Sequence, residues 1–89
     1  MKAVITVTGK DTVGIIAKVA AVCADANANI LEITQSVIGE YFAMIMLADI
    51  NSLTPAFRDF ADTLHALGDE NGLDIRAVHE EIFDAMHRI

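Results

Sequence analysis

The 89-residue sequence has a single cysteine, a single proline, no tryptophan, and only 6 lysines and arginines against 13 aspartates and glutamates. Each shortage closes off a class of function. One thiol, Cys23, cannot form an internal disulfide, and without a Cys-x-x-Cys pair the chain lacks the ligand set of a soft-metal carrier. Cys23 lies among Val19, Ala20, Val22 and Ala24. A reactive thiolate needs nearby positive charge, so Cys23 reads as a small buried hydrophobe. Nucleic-acid binding depends on a Lys/Arg footprint that displaces counterions. A net charge of −7 with scattered basic residues supplies none, and it disfavours anionic membranes as well. The longest uninterrupted apolar run, Tyr41 to Ala48, falls far short of the ~20 residues of a membrane helix. No secretory core or cleavage site is visible. The sequence therefore predicts a cytoplasmic protein with neither nucleic acid nor membrane as partner.

Catalytic groupings are also missing. His65, His79 and His87 do not share helical metal-ligand spacing. No serine, threonine or cysteine is placed with a histidine base. The acidic pairs Asp69-Glu70 and Glu80-Glu81 fall at element ends, and His79 beside the second pair reads as solvated or packed against the tail. An RNA-recognition sheet needs exposed aromatics in basic surroundings, whereas Tyr41 and Phe42 stand in an acidic chain. The expectation is no catalytic residue, no metal site and no cofactor.

What the sequence has in quantity is apolar material, at 54% of residues. A chain this short buries only about 60–65% of its unfolded surface, so part of the excess is expected to meet a second subunit. Lys2 to Thr8, rich in β-branched residues and ending at Gly9, predicts a strand. Asp11 offers a helix cap for Thr12 to Ala26, with Val13, Ile16, Ala17, Ala20, Cys23 and Ala24 as the apolar stripe. Asn29 to Ile38 alternates with Leu31, Ile33, Gln35 and Val37 on one face, predicting a half-buried edge strand. Gly39-Glu40 turns the chain into Tyr41 to Asp49, apolar on both faces and so expected to be central and covered on both sides. Pro55 suits the first turn of a helix carrying Phe57, Phe60, Ala61, Leu64 and Leu67 inward, which Gly68 to Gly72 ends. Leu73 to His79 gives a fourth strand, and Glu80 to Ile89 a short amphipathic helix. The order β-α-β-β-α-β predicts one α+β domain of the ferredoxin-like type, a four-stranded antiparallel sheet with two helices on one face.

The segment Gly9-Lys10-Asp11-Thr12-Val13-Gly14 joins the first strand to the first helix. It spaces its glycines as a phosphate loop does, but Ile15-Ile16 stand where Lys and Ser/Thr are required, so nucleotides are excluded. A helix start presents free N–H groups that favour a carboxylate, and Asp11 offers a partner for an ammonium. Gly14 in the first helical turn costs about 1 kcal/mol against alanine, which implies room for a ligand or a neighbouring chain. On the alternative reading Gly9 makes a tight turn, Asp11 caps the helix and Gly14 lets it pack closely on the sheet.

The stretch ITVTGKDTVGIIAKVAAVCADANANILEI, with its strand, G-x-D-x-x-G element, apolar helix and Asn29-Ile30, resembles the signature of ACT domains, small regulatory βαββαβ modules. Through EYF at 40–42 and IFDAM at 82–86 the likeness extends to the stand-alone single-ACT UPF0237 proteins of bacteria. It also extends to the ACT portions of formyltetrahydrofolate deformylase and the glycine-cleavage repressor. The resemblance implies a homodimer with an interface site for an amino acid or related metabolite. The contacts it implies are Lys10, Asp11, Thr12, Val13, Gly14 and Ile15, with Asn29 and Ile30 opposite, from the same or the partner chain. Most ACT domains regulate an attached enzyme or DNA-binding domain, and this chain has neither. A signal is therefore expected to reach another protein, a metabolic enzyme or a regulator. The competing expectation is a ligand-free oligomerisation or protein-interaction module using the same surface.

Overall fold

In the computed structural model, which describes residues 1–10 and 14–86, the β-branched opening forms β1 (Lys2–Lys10) and runs through Gly9. It is followed by α1 (Ile15–Asp25), β2 (Asn29–Ile38), β3 (Tyr41–Asp49), α2 (Phe57–Asn71), β4 (Leu73–His79) and α3 (Glu80–Met86). The strands form one sheet in the order β2-β3-β1-β4, antiparallel throughout. This is the expected ferredoxin-like arrangement.

Period-2 alternation sends Ala3, Ile5 and Val7 of β1, Phe42, Met44, Met46 and Ala48 of β3, and Leu73 and Ile75 of β4 into one core. The helices meet them with Ile15, Val19, Cys23, Phe60 and Leu64. Fully burying a side chain of this size contributes about 1.5–3 kcal/mol.

Helix α1 differs from its expected form at both its start and its face. It begins at Ile15, with Gly14 as N-cap at φ 81° and no side-chain cap, so Gly14 precedes the first turn rather than occupying it; Asp11, the expected cap, lies outside the described residues. Its buried residues are Ile15, Val19 and Cys23, while Ile16 is 38% exposed and Ala17 and Ala24 face solvent. The segment is apolar almost all round, so two stripes fit the periodicity, and the later start selects the second. The helix ends in a Schellman motif: Ala28 N–H donates to Cys23 O at 2.8 Å and Asn27 N–H to Ala24 O at 3.1 Å. Asn27 takes the left-handed turn at φ 64°.

Helix α2 carries the expected inward face, but its ends are displaced. Pro55 lies two residues before the helix, whose N-cap is Ala56 without a side-chain bond, and the helix runs through Gly68 to Asn71. Gly68 is a contact residue rather than a stop. A Cβ there would lie 2.6 Å from the Leu73 carbonyl oxygen, so the bare backbone lets α2 sit close on β4. Gly72, at φ 69°, is the actual C-cap. Of the predicted tail helix, 87–89 lie outside the described residues.

Two expectations about the sheet fail for a common reason: the helices do not reach across it. The strand β2 is the edge strand predicted, but it is not half-buried. Ile33, Val37 and Ile38 are 45%, 59% and 75% exposed. A register shift between Ile30 and Glu32 leaves Leu31 unpaired with β3, breaking the alternation on which the face assignment depended. The strand β3 is central and buried on its helix side, yet Tyr41 and Ile45 on its other side are 59% and 47% exposed. The short α3 rests against β1 and β4 instead, and Val4, which pairs with Val78, is only 5% exposed.

Candidate functional site

The strand order positions the glycine-flanked loop. The end of β1 holds Lys10 opposite Tyr41 of β3, and Lys10 Nζ stands 3.7 Å from Glu40 Oε1 in an exposed ion pair. Gly9 is a strand residue rather than a turn. Its φ of 149° is what favours glycine there; a Cβ would also press on Leu73 Cδ2 at 2.5 Å, the movable end of a side chain. Asp11, Thr12 and Val13 lie outside the described residues. The chain resumes at Gly14, where a Cβ would meet nothing within 4 Å. Glycine at 14 is therefore required by its positive φ, and the space beside it is open.

Beyond Gly14 the start of α1 has neither a side-chain cap nor an acidic residue in its first turn. Its early N–H groups and the positive dipole end remain uncompensated by the described side chains, which suits an anion. Ile15 is 2% exposed, so its side chain belongs to the core and only its backbone can serve a ligand.

Asn29 and Ile30 are elsewhere. Asn29 pairs with Asp49, which pairs with Lys2, whereas Lys10 and Ile38 both pair with Tyr41. The two halves of the implied site stand at opposite ends of the sheet, separated by the rise of about eight strand residues, roughly 26 Å. Within one chain they do not come together.

Sequence reasoning missed two features. A cleft of about 410 Å³ opens between the end of α1 and the start of α2, with Val22, Ala26, Pro55 and Phe60 as its apolar lining. It depends on how two helices diverge, which no local pattern encodes. His79 stacks on Phe57, ring centroids 4.1 Å apart, and its Nδ1 is buried without a partner. His65 pairs with Asp69 at 3.4 Å on the exposed face of α2. Among the described residues no cluster of His, Cys, Asp or Glu is arranged to hold a metal, and no helix is long and apolar enough to cross a membrane. Burial pushes the Cys23 thiol up to about 11, which keeps it neutral at physiological pH.

A family model described as an ACT domain matches residues 2–78. The chain belongs to the ACT domain family. A UPF0237 protein of Bifidobacterium longum is 47% identical over 88 residues, covering 99% of this chain and 98% of the relative. Among solved structures, an ACT domain protein from Streptococcus pneumoniae superposes with a TM-score of 0.80 at 36% identity, covering 98% of each chain. A structure assigned to the transcriptional repressor of the glycine cleavage system matches with a TM-score of 0.71 at 27% identity, over 86% of this chain and 44% of that one.

Proposed function

We propose that this ACT domain is a regulatory module that forms a homodimer along β2, binds a small amino acid or related metabolite at the subunit seam, and signals to another protein. The observation that carries the proposal is the separation of Asn29-Ile30 from the Gly9–Gly14 loop within one chain, combined with an unpaired β2 edge. Antiparallel pairing of two β2 strands would set Asn29 of one copy across from Ile38 of the other. That end of the sheet is the one where Lys10 meets Tyr41, and α1, crossing from β1 toward β2, starts there. Each seam end would then combine one copy's helix start, suited to a carboxylate, with the other copy's Asn29 amide. The apolar side chains left exposed at the seam, Ile16, Ile33 and Val37, supply surface for such an interface. The glycine-cleavage repressor among the structural neighbours is consistent with a role in amino-acid metabolism.

Thermal-shift screening of the twenty amino acids tests it. A ligand present at 100 times its Kd stabilises the native state by about 2.7 kcal/mol, a readily measured shift. If none of the twenty stabilises the protein at millimolar concentration, the sensing role fails. The second reading, a ligand-free interaction module, is favoured by the outer sheet face, where Ile38, Tyr41 and Ile45 are exposed together. It predicts a mass in solution that is unchanged by any amino acid and a constant protein partner.

A further inference from the structure

We infer that the cleft between the end of α1 and the start of α2 is a separate binding site for a small organic ammonium with an apolar body. Its volume, about 410 Å³, lies in the ~300–1,000 Å³ range of small-molecule sites. Three residues with polar side chains line it, Asp25, Thr54 and Thr63. Thr54 Oγ1 donates its proton to Ala26 O at 3.3 Å, and Thr63 Oγ1 donates to Asp59 O at 2.9 Å. Each hydroxyl is left with lone pairs only. Asp25 supplies carboxylate oxygens, and among the described residues no cation pairs with it.

A pocket whose polar lining consists of acceptors selects a ligand that only donates, which a primary ammonium does with three N–H groups and no lone pair. Two further features point the same way. Asp25 is the last residue of α1, and no basic residue occupies that last turn, so the negative end of the helix dipole adds to its charge. No lysine, arginine or histidine lines the cleft. The apolar remainder, Val22, Ala26, Pro55 and Phe60, offers a surface for a short hydrocarbon. The same charge that attracts an ammonium repels a carboxylate.

The walls are fixed in place. Thr54 N–H donates to Ala26 O at 2.9 Å, and Asn27 Nδ2 donates to Ser52 O at 2.9 Å, tying the segment before α2 to the end of α1. The site stands at the opposite end of α1 from Gly14, about 16 Å along an 11-residue helix. It is thus distinct from the helix start of its own chain, and it lies toward the Asn29 end of β2.

Amide chemical shifts in a ¹⁵N-labelled sample, titrated at neutral pH with isoamylamine, isoamyl alcohol and isovalerate, test the inference. The expected result is saturable perturbation of residues 22–26 and 54–63 by the amine, with Lys10 and Gly14 unmoved. The alcohol and the carboxylate should bind at least about tenfold more weakly, and Asp25→Asn should lose a similar factor for the amine. Asp25 is exposed and its charge stands at the negative end of the helix dipole, so the variant should unfold at or slightly above the wild-type temperature. Equal binding of alcohol and amine, an unchanged affinity in Asp25→Asn, or perturbations elsewhere would each overturn the assignment.

Discussion

Replacing Gly68 with alanine sets two physical effects against each other, and the structure decides which wins. Gly68 lies inside α2, where alanine is favoured over glycine by about 1 kcal/mol on helix propensity alone. Against that gain, the new Cβ would fall 2.6 Å from the Leu73 carbonyl oxygen, 3.0 Å from Ile75 Cγ1 and 3.1 Å from Ile75 N. A carbon rests against a carbonyl oxygen at about 3.3 Å or more, so α2 must withdraw from β4 by roughly 0.7 Å. A gap of 0.5–1 Å forfeits about a quarter to a half of the dispersion energy of each contact affected. Phe60, Leu64 and Ile75 pack in that layer. Overpacking of this kind costs about 1–3 kcal/mol, and the closest atom is backbone, which no rotamer change can move aside. The net expectation is a loss of up to about 2 kcal/mol, with the melting temperature falling about 4–8 °C for each kcal/mol. Urea denaturation followed by far-UV circular dichroism measures it. A Gly68→Ala variant more stable than the parent, by the helix-propensity gain of about 1 kcal/mol, would refute the close-approach argument.

Other substitutions separate the remaining forces. Gly14→Ala meets no atom but must hold φ at 81°, so it should cost about 1–2 kcal/mol by equilibrium denaturation, and a larger residue should cost little more. Val37→Lys changes a side chain 59% exposed and should alter the stability of the isolated chain by no more than about 0.5 kcal/mol. By sedimentation equilibrium it should nevertheless be monomeric at concentrations where the parent is dimeric; an intact dimer would remove β2 from the interface. The Cys23 thiol is raised to about 11 in the fold, so the unfolded chain ionises first as pH rises. The unfolded state then binds fewer protons than the native state, and stability should fall across the window from pH 9 to 11, by at most about 1.4 kcal/mol per pH unit. In Cys23→Ala that part of the decline should vanish; an unchanged pH profile would mean that the thiol is not desolvated.

The fold was legible because its main elements are specified locally. The β-branched run of β1, the apolar run of β3 after the Gly39-Glu40 turn and the Phe57-Phe60-Leu64 spacing of α2 need no tertiary context. The misreadings lie where local pattern is degenerate. An α1 apolar on nearly every side allows two buried stripes, and only its start at Ile15 selects one. The exposed state of β2 depends on how far the helices reach across the sheet and on a bulge at Leu31, neither of which alternation encodes. Gly68 looked like a helix terminator because glycine at a helix end and glycine at a close contact are identical in sequence. Of the site residues, Lys10 and Gly14 lie beside the loop, whereas Asn29 and Ile30 lie at the far end of the sheet. Strand register, which is a long-range property, separates them.

The pairing of β4 with β1 also bears on how the protein is made. Ala3 stands across the ladder from His79, so a central strand finds its second neighbour only once the chain has been synthesised through residue 79. Until then β1, with the sequence AVITV at 3–7, offers the nascent chain an apolar, unpaired edge of the kind that recruits strands from other molecules. The ladder also joins residues far apart in sequence, which slows folding at a given stability. Slow closure and an exposed β1 coincide in time, so aggregation during biosynthesis, rather than instability of the finished domain, is where mutations in Leu73–His79 will first be felt.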